Sequence, residues 1–356
     1  MRSLTWDEVR SRRLARSHLH ERAPADRLVE VVRDVCGVHA QVMGSAELQL
    51  AARVDGITQA DVREALWERR KLVKTWTLRG TLHLHPADEL GLWTAARRAV
   101  VGEADYVIEK LEDVPAVVAA IGEALAGKRL TREELADAVA AQVGPGPREQ
   151  LASGWGYYLG DAAVAGLLCF GPPQGAKVTF VHASEWLGPQ REWEPREALG
   201  EVARRYAETY GPVGHREFRE WFTSRSFTAA DAKVLFDELD LPEPEPPPAA
   251  ELSVRLLPEY DPYVMAFRER EHLGPRAVRA QDAAHGKGRY EGPAGTPFLV
   301  VDGLCAGIWN RKKTAKRVNL TVEAARPLTR GERAGVEAEA ERIGAFLGLE
   351  PTLSIA

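Results

Sequence analysis

The residues best suited to chemistry in this chain are His39 and Gln41, separated by Ala40. They follow the run DRLVEVVRDVCGV, in which Leu28, Val31, Val32, Val35 and Val38 recur at helical spacing. In a regular helix, residues two apart point roughly 200° from each other and cannot share a site. A joint role for His39 and Gln41 therefore requires extended or turned backbone, just where the helix is predicted to halt near Gly37. There a neutral imidazole can accept a proton from water, while a carboxamide fixes that water or reads a base edge. The competing reading is two ordinary polar residues at a helix end.

Other reactive residue types form poorer constellations. His83 and His85 fall on one face of a predicted strand, but no third metal ligand is spaced to join them. Glu259, Asp261, Arg268 and Arg270 crowd LPEYDPYVMAFRER beside an apolar strand, which predicts a buried ion-pair network rather than catalysis. A metal-dependent nuclease needs clustered carboxylates, and only Glu259 with Asp261 come near that. HGKGRYEGPAG, starting at His285, is rich in glycine but is neither a P-loop nor a dinucleotide fingerprint, and reads as a loop. No H-E-x-x-H, G-x-S-x-G or kinase signature occurs. Cys36, Cys169 and Cys305 are far apart and never in a C-x-x-C pair, so buried thiols are expected, not a zinc or iron–sulfur site. Neither a metal nor a cofactor is expected.

The elements that must position these residues are those of a sizeable chain. It has 356 residues, 45% apolar and 28% charged, which excludes a disordered chain or a disulfide scaffold and predicts two or three modules. No apolar run approaches the ~20 residues that cross a bilayer, and no signal-peptide core opens the sequence, so a cytoplasmic location without membrane contact is expected. Net charge is −5, unevenly spread. Residues 1–100 hold 17 basic against 13 acidic side chains, 101–250 hold 14 against 25, and 251–356 hold 16 against 14. Basic flanks on an acidic middle permit a molecule with one nucleic-acid-facing side.

Along the chain, helices twice run into a hairpin. Thr5 with Glu8 has capping-box spacing, Thr58 can cap TQADVREALWERR, and KLVKTWTLRGTLHLH then changes to the two-residue period of strands, with Arg79-Gly80 as the turn. Helices closing in a hairpin flanked by Arg69, Arg70, Lys71 and Lys74 have the pattern of a winged helix, the hairpin being its wing. A second set follows in VPAVVAAIGEALAG, in LTREELADAVAAQ capped by Thr131, and in a helix predicted over residues 154–167. It ends in apolar runs around Pro172-Pro173-Gln174-Gly175. A third set, REALGEVARRYAETYG, GHREFREWFTS and the Thr228-capped TAADAKVLFDELD, has no clear hairpin. LPEPEPPPAAE is predicted to be a linker. Beyond it SVRLLPEYDPYVMAF, PFLVVDGLCAGIWNRK and RVNLTVEAARPL read as strands of an antiparallel sheet or barrel, with Asp302-Gly303 as a turn and a closing helix in RGERAGVEAEAERIGAFLG. This sheet carries the basic cluster Arg311, Lys312, Lys313, Lys316 and Arg317, which suits either a solvated edge or phosphate contact. The expected fold is α+β, mainly α, with a first winged-helix unit over 1–100, a second over 101–190, a third, winged-helix-like, over 191–245, and a small C-terminal antiparallel β domain with a terminal helix over 250–356.

With tandem winged helices, His-Ala-Gln after the early helices, the hairpin TWTLRGTLHLH, and LPEYDPYVMAFRER followed by VDGLCAGIWNRK, the whole chain resembles the AlkZ-like winged-helix DNA glycosylases. The resemblance implies three winged-helix units and a C-terminal β domain around a DNA-binding channel. It also implies a catalytic pair of Gln-x-Gln or Gln-x-Asp type. Here His39 stands at the first position and Gln41 matches the second, as in a His-x-Gln branch associated with actinomycete producers of DNA-alkylating natural products. It implies a monofunctional, metal-independent glycosylase that removes bulky N7-alkylguanine from double-stranded DNA, in self-resistance or repair. His39 would activate water with Gln41 holding it, and activity would fall below the ordinary imidazole pKa of ~6.5. Arg79, Thr81 and His83 of the wing would meet a groove, and Arg311, Lys312 and Lys313 would hold phosphates. A nucleoid-associated monomer is expected. The alternative is a non-enzymatic winged-helix regulator or drug-sequestering protein in which His39 and Gln41 are structural. Such repressors usually dimerise, whereas three units in one chain can engage DNA alone.

Overall fold

Local capping chemistry places many of the helix starts. Thr5 with Glu8, Thr131 with Glu134, Thr228 with Asp231 and Thr329 with Glu332 each form a reciprocal box that satisfies donors at a helix N-terminus. The computed structural model describes residues 4–102, 111, 113–154, 156–223, 226–241, 252–268, 271–274 and 295–356. The proline/glutamate-rich residues 242–251, the loop at 285–294 and Arg270 lie outside the described residues. The chain divides into two units, one made of Met1–Val62, Arg205–Trp221 and Asp240–Ala356, the other of Arg63–Arg204 and Phe222–Leu239.

In the second of these, strands Leu72–Trp76 and Leu82–Pro86 form the predicted antiparallel hairpin, with Trp76 opposite Leu82. Arg79 and Gly80 at its tip take φ of 56° and 65°, the left-handed backbone a tight reversal requires. The apolar/polar alternation does not become an in/out alternation, because every residue of both strands is buried. His85, for example, is hydrogen-bonded to the Thr77 hydroxyl at 2.8 Å and stacked on Trp93 at 4.1 Å. A second hairpin, Leu168–Gln174 with Lys177–His182, carries the short strand Arg129–Thr131 against its Lys177–His182 edge. Helices Val114–Leu125 and Arg132–Val143 supply Ile121, Leu125, Leu135 and Val139 to a core that also holds Trp76, Leu159 and Phe180. Each such side chain contributes ~1.5–3 kcal/mol when fully buried.

The helix predicted over 154–167 is shorter, running Leu159–Val164. Gly156 and Tyr158 have positive φ, and a Cβ on Gly156 would lie 2.8 Å from the Trp76 indole. The chain must turn sharply there to pass the ring. The third set is helical as expected, Pro195–Tyr210, His215–Phe222 and Ala229–Glu238, with no hairpin among its described residues.

The first unit is built on a five-stranded sheet in the order Glu350–Ile355, Arg317–Ala324, Leu304–Lys313, Phe298–Val301, Val254–Leu257. Asp302 and Gly303 both have positive φ, 48° and 79°, which matches the right-handed twist of the hairpin they join. The sheet is not wholly antiparallel. Helix Arg330–Leu347 does not close the chain but returns it through left-handed Gly348 to a last strand, Glu350–Ile355, parallel to Arg317–Ala324. A helical crossover restores the original chain direction, so the strand after it pairs in parallel. One predicted strand segment is also helical. Asp261 accepts a hydrogen bond from the Tyr263 amide and Pro262 occupies the first turn, so Pro262–Met265 coils instead of extending. Among the described residues no helix is long and apolar enough to cross a membrane.

Candidate active site

Helix Leu28–Asp34 ends where left-handed Cys36 and Gly37, at φ 58° and 95°, reverse the chain. Val38–His39 is then extended, residues 41–42 form an exposed bend, and a new helix begins at Met43. His-Ala-Gln therefore sits in non-helical backbone, as a joint role requires. His39 is buried, 6% exposed, while Gln41 is exposed.

What fixes His39 comes from the next helix and from the far end of the chain. Ser45 and Gln49 on helix Met43–Ala51, and Arg53 just past it, recur every four residues and so share one face. All three are buried. The Gln49 side-chain amide donates to the His39 carbonyl at 3.2 Å and to the Glu259 carbonyl at 3.1 Å. The Ser45 hydroxyl donates to that same Glu259 carbonyl. Arg53 donates to the Gln49 carbonyl at 2.9 Å and forks onto both oxygens of Asp261 at 2.7 Å, both side chains being fully buried. The Tyr260 ring stacks on the His39 imidazole, centroids 4.6 Å apart and planes 26° from parallel. Glu259 turns its carboxylate to Arg311, 3.1 Å away.

Three consecutive residues thus have three jobs: Glu259 anchors Gln49 and Arg311, Tyr260 covers His39, and Asp261 binds Arg53. Tyr260 does so with φ of 61°, a conformation that costs a side-chain-bearing residue ~1–3 kcal/mol and persists only where neighbours enforce it. The bidentate ion pair next to it is such a constraint, since removing one partner of a buried pair costs ~3–5 kcal/mol.

The expected ion-pair network exists with different cations. Arg53 and Arg311 are the partners, whereas Arg268 is exposed, because the helix and sheet deliver the first two to this turn from distant sequence. With both carboxylates facing guanidinium groups, Glu259 and Asp261 are poor metal ligands. Among the described residues no group of three His, Cys, Asp or Glu is disposed to hold a metal. The rings of His83 and His85 lie 5.9 Å apart. All three cysteines are buried, and burial pushes the Cys169 thiol up to about 12.

The remaining site residues are dispersed. Arg79 is half-buried at the hairpin tip, and Thr81 donates to the Leu78 carbonyl at 3.1 Å. His83 is buried, with Nδ1 3.1 Å from the Thr81 carbonyl and Nε2 3.4 Å from Arg79. That set suits a neutral ring donating at Nδ1 and accepting at Nε2. Lys312 and Lys313 are exposed at the end of strand Leu304–Lys313, and alternation places Lys312 opposite Arg311 and Lys313. Of the predicted phosphate contacts, only Arg311 joins the His39 scaffold. Sequence reasoning missed Ser45, Gln49, Arg53 and Tyr260. The first three carried a signal: polar residues at four-residue spacing along a largely apolar stretch.

Comparison with known proteins places this arrangement. The family described as DNA glycosylase AlkZ-like matches residues 32–346, a span that contains His39, Gln41 and the Glu259–Asp261 turn. An interstrand DNA cross-link repair glycosylase of Streptomyces sahachiroi is 29% identical over 343 residues, covering 86% of this chain and 87% of that protein. The solved structure of Streptomyces sahachiroi DNA glycosylase AlkZ superposes with a TM-score of 0.82 at 26% identity, covering 100% of both chains. The chain belongs to the AlkZ-like family of DNA glycosylases.

Proposed function

We propose that the protein is a monofunctional DNA glycosylase that excises bulky N7-alkylguanine from double-stranded DNA, with His39 and Gln41 as its catalytic pair. N7 alkylation makes guanine cationic and its glycosidic bond labile, so the enzyme's main task is to place water rather than to protonate the leaving group. His39 orients the water and takes its proton as oxygen bonds to C1′. The C1′–N9 bond breaks with its electron pair going to the alkylguanine, which leaves with an abasic site behind. Gln41 holds the water or the lesion nucleotide. No lysine stands in the motif, so no Schiff base forms.

The observation that carries this reading is the way His39 is held: extended backbone, a ring stacked on Tyr260 and a carbonyl bonded to Gln49, beside an exposed Gln41. Catalytic groups need such pre-orientation, whereas helix-end polar residues do not. The Streptomyces sahachiroi relative is named for repair of interstrand DNA cross-links, which favours alkylated DNA as the substrate class here. In this reading the protein acts as a nucleoid-associated monomer with three winged-helix-like units over 1–100, 101–190 and 191–245, and a β domain over 250–356. Arg79, Thr81 and His83 approach a groove, Lys312 and Lys313 hold phosphates, and Arg311 divides its charge between phosphate and Glu259.

The test incubates wild type and His39→Ala with a duplex bearing one N7-alkylguanine, in EDTA, and reveals abasic sites with mild alkali. Excision by wild type, reduced at least ~10²-fold in the variant, is expected. Equal excision by both removes His39 from the mechanism, and binding without excision by wild type removes the substrate.

A further inference from the structure

A concave site lies in the same unit as the His-Ala-Gln motif and shares no residue with it. It is a pocket of about 900 Å³ formed by helix Trp6–Arg16, residues 212–220 at the start of helix His215–Phe222, and Phe267, Arg268, His272 and Gly274. Its walls are aromatic and cationic. Trp6, which is 56% exposed, stacks on His272 with ring centroids 5.4 Å apart and planes 16° from parallel. Phe267 meets His272 edge-on at 4.6 Å.

Arg13 lines this pocket and is 2% exposed. Its Nε donates to the Tyr210 carbonyl at 2.8 Å and its Nη2 to the Pro212 carbonyl at 3.3 Å, while Nη1 has no hydrogen-bond partner. The hydrogen-bond partners of Arg13 are carbonyls, not carboxylates, and the Phe267 and Trp6 rings lie 4.2 Å and 5.8 Å from its guanidinium carbon. Burial lowers its pKa only to about 10, so the charge is retained at neutral pH. A buried, ionised guanidinium facing carbonyls, a ring and an empty volume is expensive unless an anion completes it. His272 adds a second polar atom, Nε2, that is buried and unpartnered. Burial, with Arg13 and Arg10 near, lowers its pKa to about 4, so the ring is neutral and free to share one hydrogen bond.

We propose that this pocket is a binding site for a small planar aromatic molecule carrying one anionic group, its ring against Trp6 and its anion on Arg13. Two features favour a small molecule over a nucleic-acid strand. The volume lies in the range of small-ligand clefts. Glu217 and Glu220 also line the pocket among Arg10, Arg13, Arg216 and Arg268, a wall of mixed charge that suits one anion at Arg13 better than a continuous run of phosphates. The site is independent of the excision chemistry, and its failure would leave that reading intact.

The test titrates the full-length protein with 2-naphthoate and with the neutral 2-naphthylmethanol, by calorimetry and by tryptophan fluorescence. One-to-one binding of 2-naphthoate, at least about tenfold tighter than the alcohol, is expected. Trp6→Ala, at an exposed position that leaves the fold intact, should weaken 2-naphthoate at least about tenfold without changing excision. Arg13→Gln should abolish the preference for the anion; because Arg13 also holds the Tyr210 carbonyl, its thermal unfolding is measured alongside, and Trp6→Ala decides if it unfolds. Absence of saturable 2-naphthoate binding, equal binding of both probes, or no loss in Trp6→Ala overturns the proposal. Displacement of 2-naphthoate by an undamaged duplex at low salt does so too, by making the pocket part of the DNA path.

Discussion

The His-Ala-Gln turn and the Arg79 hairpin are both short, tight and marked by left-handed residues, yet they are held in opposite ways. The hairpin closes locally: Leu72–Trp76 pairs with Leu82–Pro86 across a short loop, and the contacts that shape its tip include Thr77 with His85 and His83 with the Thr81 carbonyl. The His39 turn depends on Gln49, ten residues away, and on Glu259, Tyr260 and Asp261, more than 200 residues away. A structure encoded locally tolerates change elsewhere in the chain. One encoded by distant partners is lost when any of them is lost.

The largest expected effect is therefore at Arg53, which touches neither water nor DNA in the proposed reaction. Arg53→Met leaves Asp261 buried and unpaired and should cost ~3–5 kcal/mol, read as a lower urea midpoint, with excision falling alongside. Arg53→Met combined with Asp261→Asn should recover a large part of the stability, because the stranded charge is gone. If Arg53→Met unfolds like wild type, the contrast between the two turns collapses. Next comes His39→Ala, expected to add about 3–5 kcal/mol to the barrier with little change in unfolding. Gln49→Leu, which removes the donor shared by the His39 and Glu259 carbonyls, should cost ~1–3 kcal/mol in stability and lower turnover more than it weakens DNA binding.

On the hairpin side the effect is smaller. Arg79→Gly keeps the left-handed backbone while removing the charge, so stability should hold and duplex affinity should fall uniformly across sequences, the salt slope decreasing by about 1. A larger loss of stability than of affinity would make the hairpin tip a structural anchor. The smallest effect is at the C-terminal helix. The Arg326 guanidinium, hydrogen-bonded to Glu332, lowers its carboxyl pKa from 4.5 to about 2. That contribution is complete above pH 4.5 and disappears as pH falls toward 2; Glu332→Gln should flatten the acid limb of a stability curve across this window.

The same contrast explains what the sequence discloses. Thr5 with Glu8, Thr131 with Glu134, and the turns at Arg79-Gly80 and Asp302-Gly303 are readable because their physics is complete within a few residues. His39 and Gln41 are readable as residue types out of place at a helix end. Tyr260 is not, because nothing in PEYDP says that its ring will cover an imidazole from the start of the chain, and the Asp261-Pro262 helix start is hidden among strand-like neighbours. Arg268 is named in place of Arg53 for the same reason: proximity in sequence is the sole guide to pairing before the fold is known. The parallel last strand escapes because its order depends on the crossover helix before it, not on its own residues.

Because its unit is assembled from three separated stretches of chain, His39 emerges from the ribosome early and its cover late. Synthesis at ~5–20 residues per second leaves at least ten seconds between the translation of His39 and that of Asp261. Through that interval Arg53 lacks Asp261 and Gln49 lacks the Glu259 carbonyl, and the nascent chain holds a histidine without its cover. Excision competence is in this sense a late event in the life of each molecule, conferred by the last third of the chain on residues made in the first sixth, and a fragment released early would carry the motif without the activity.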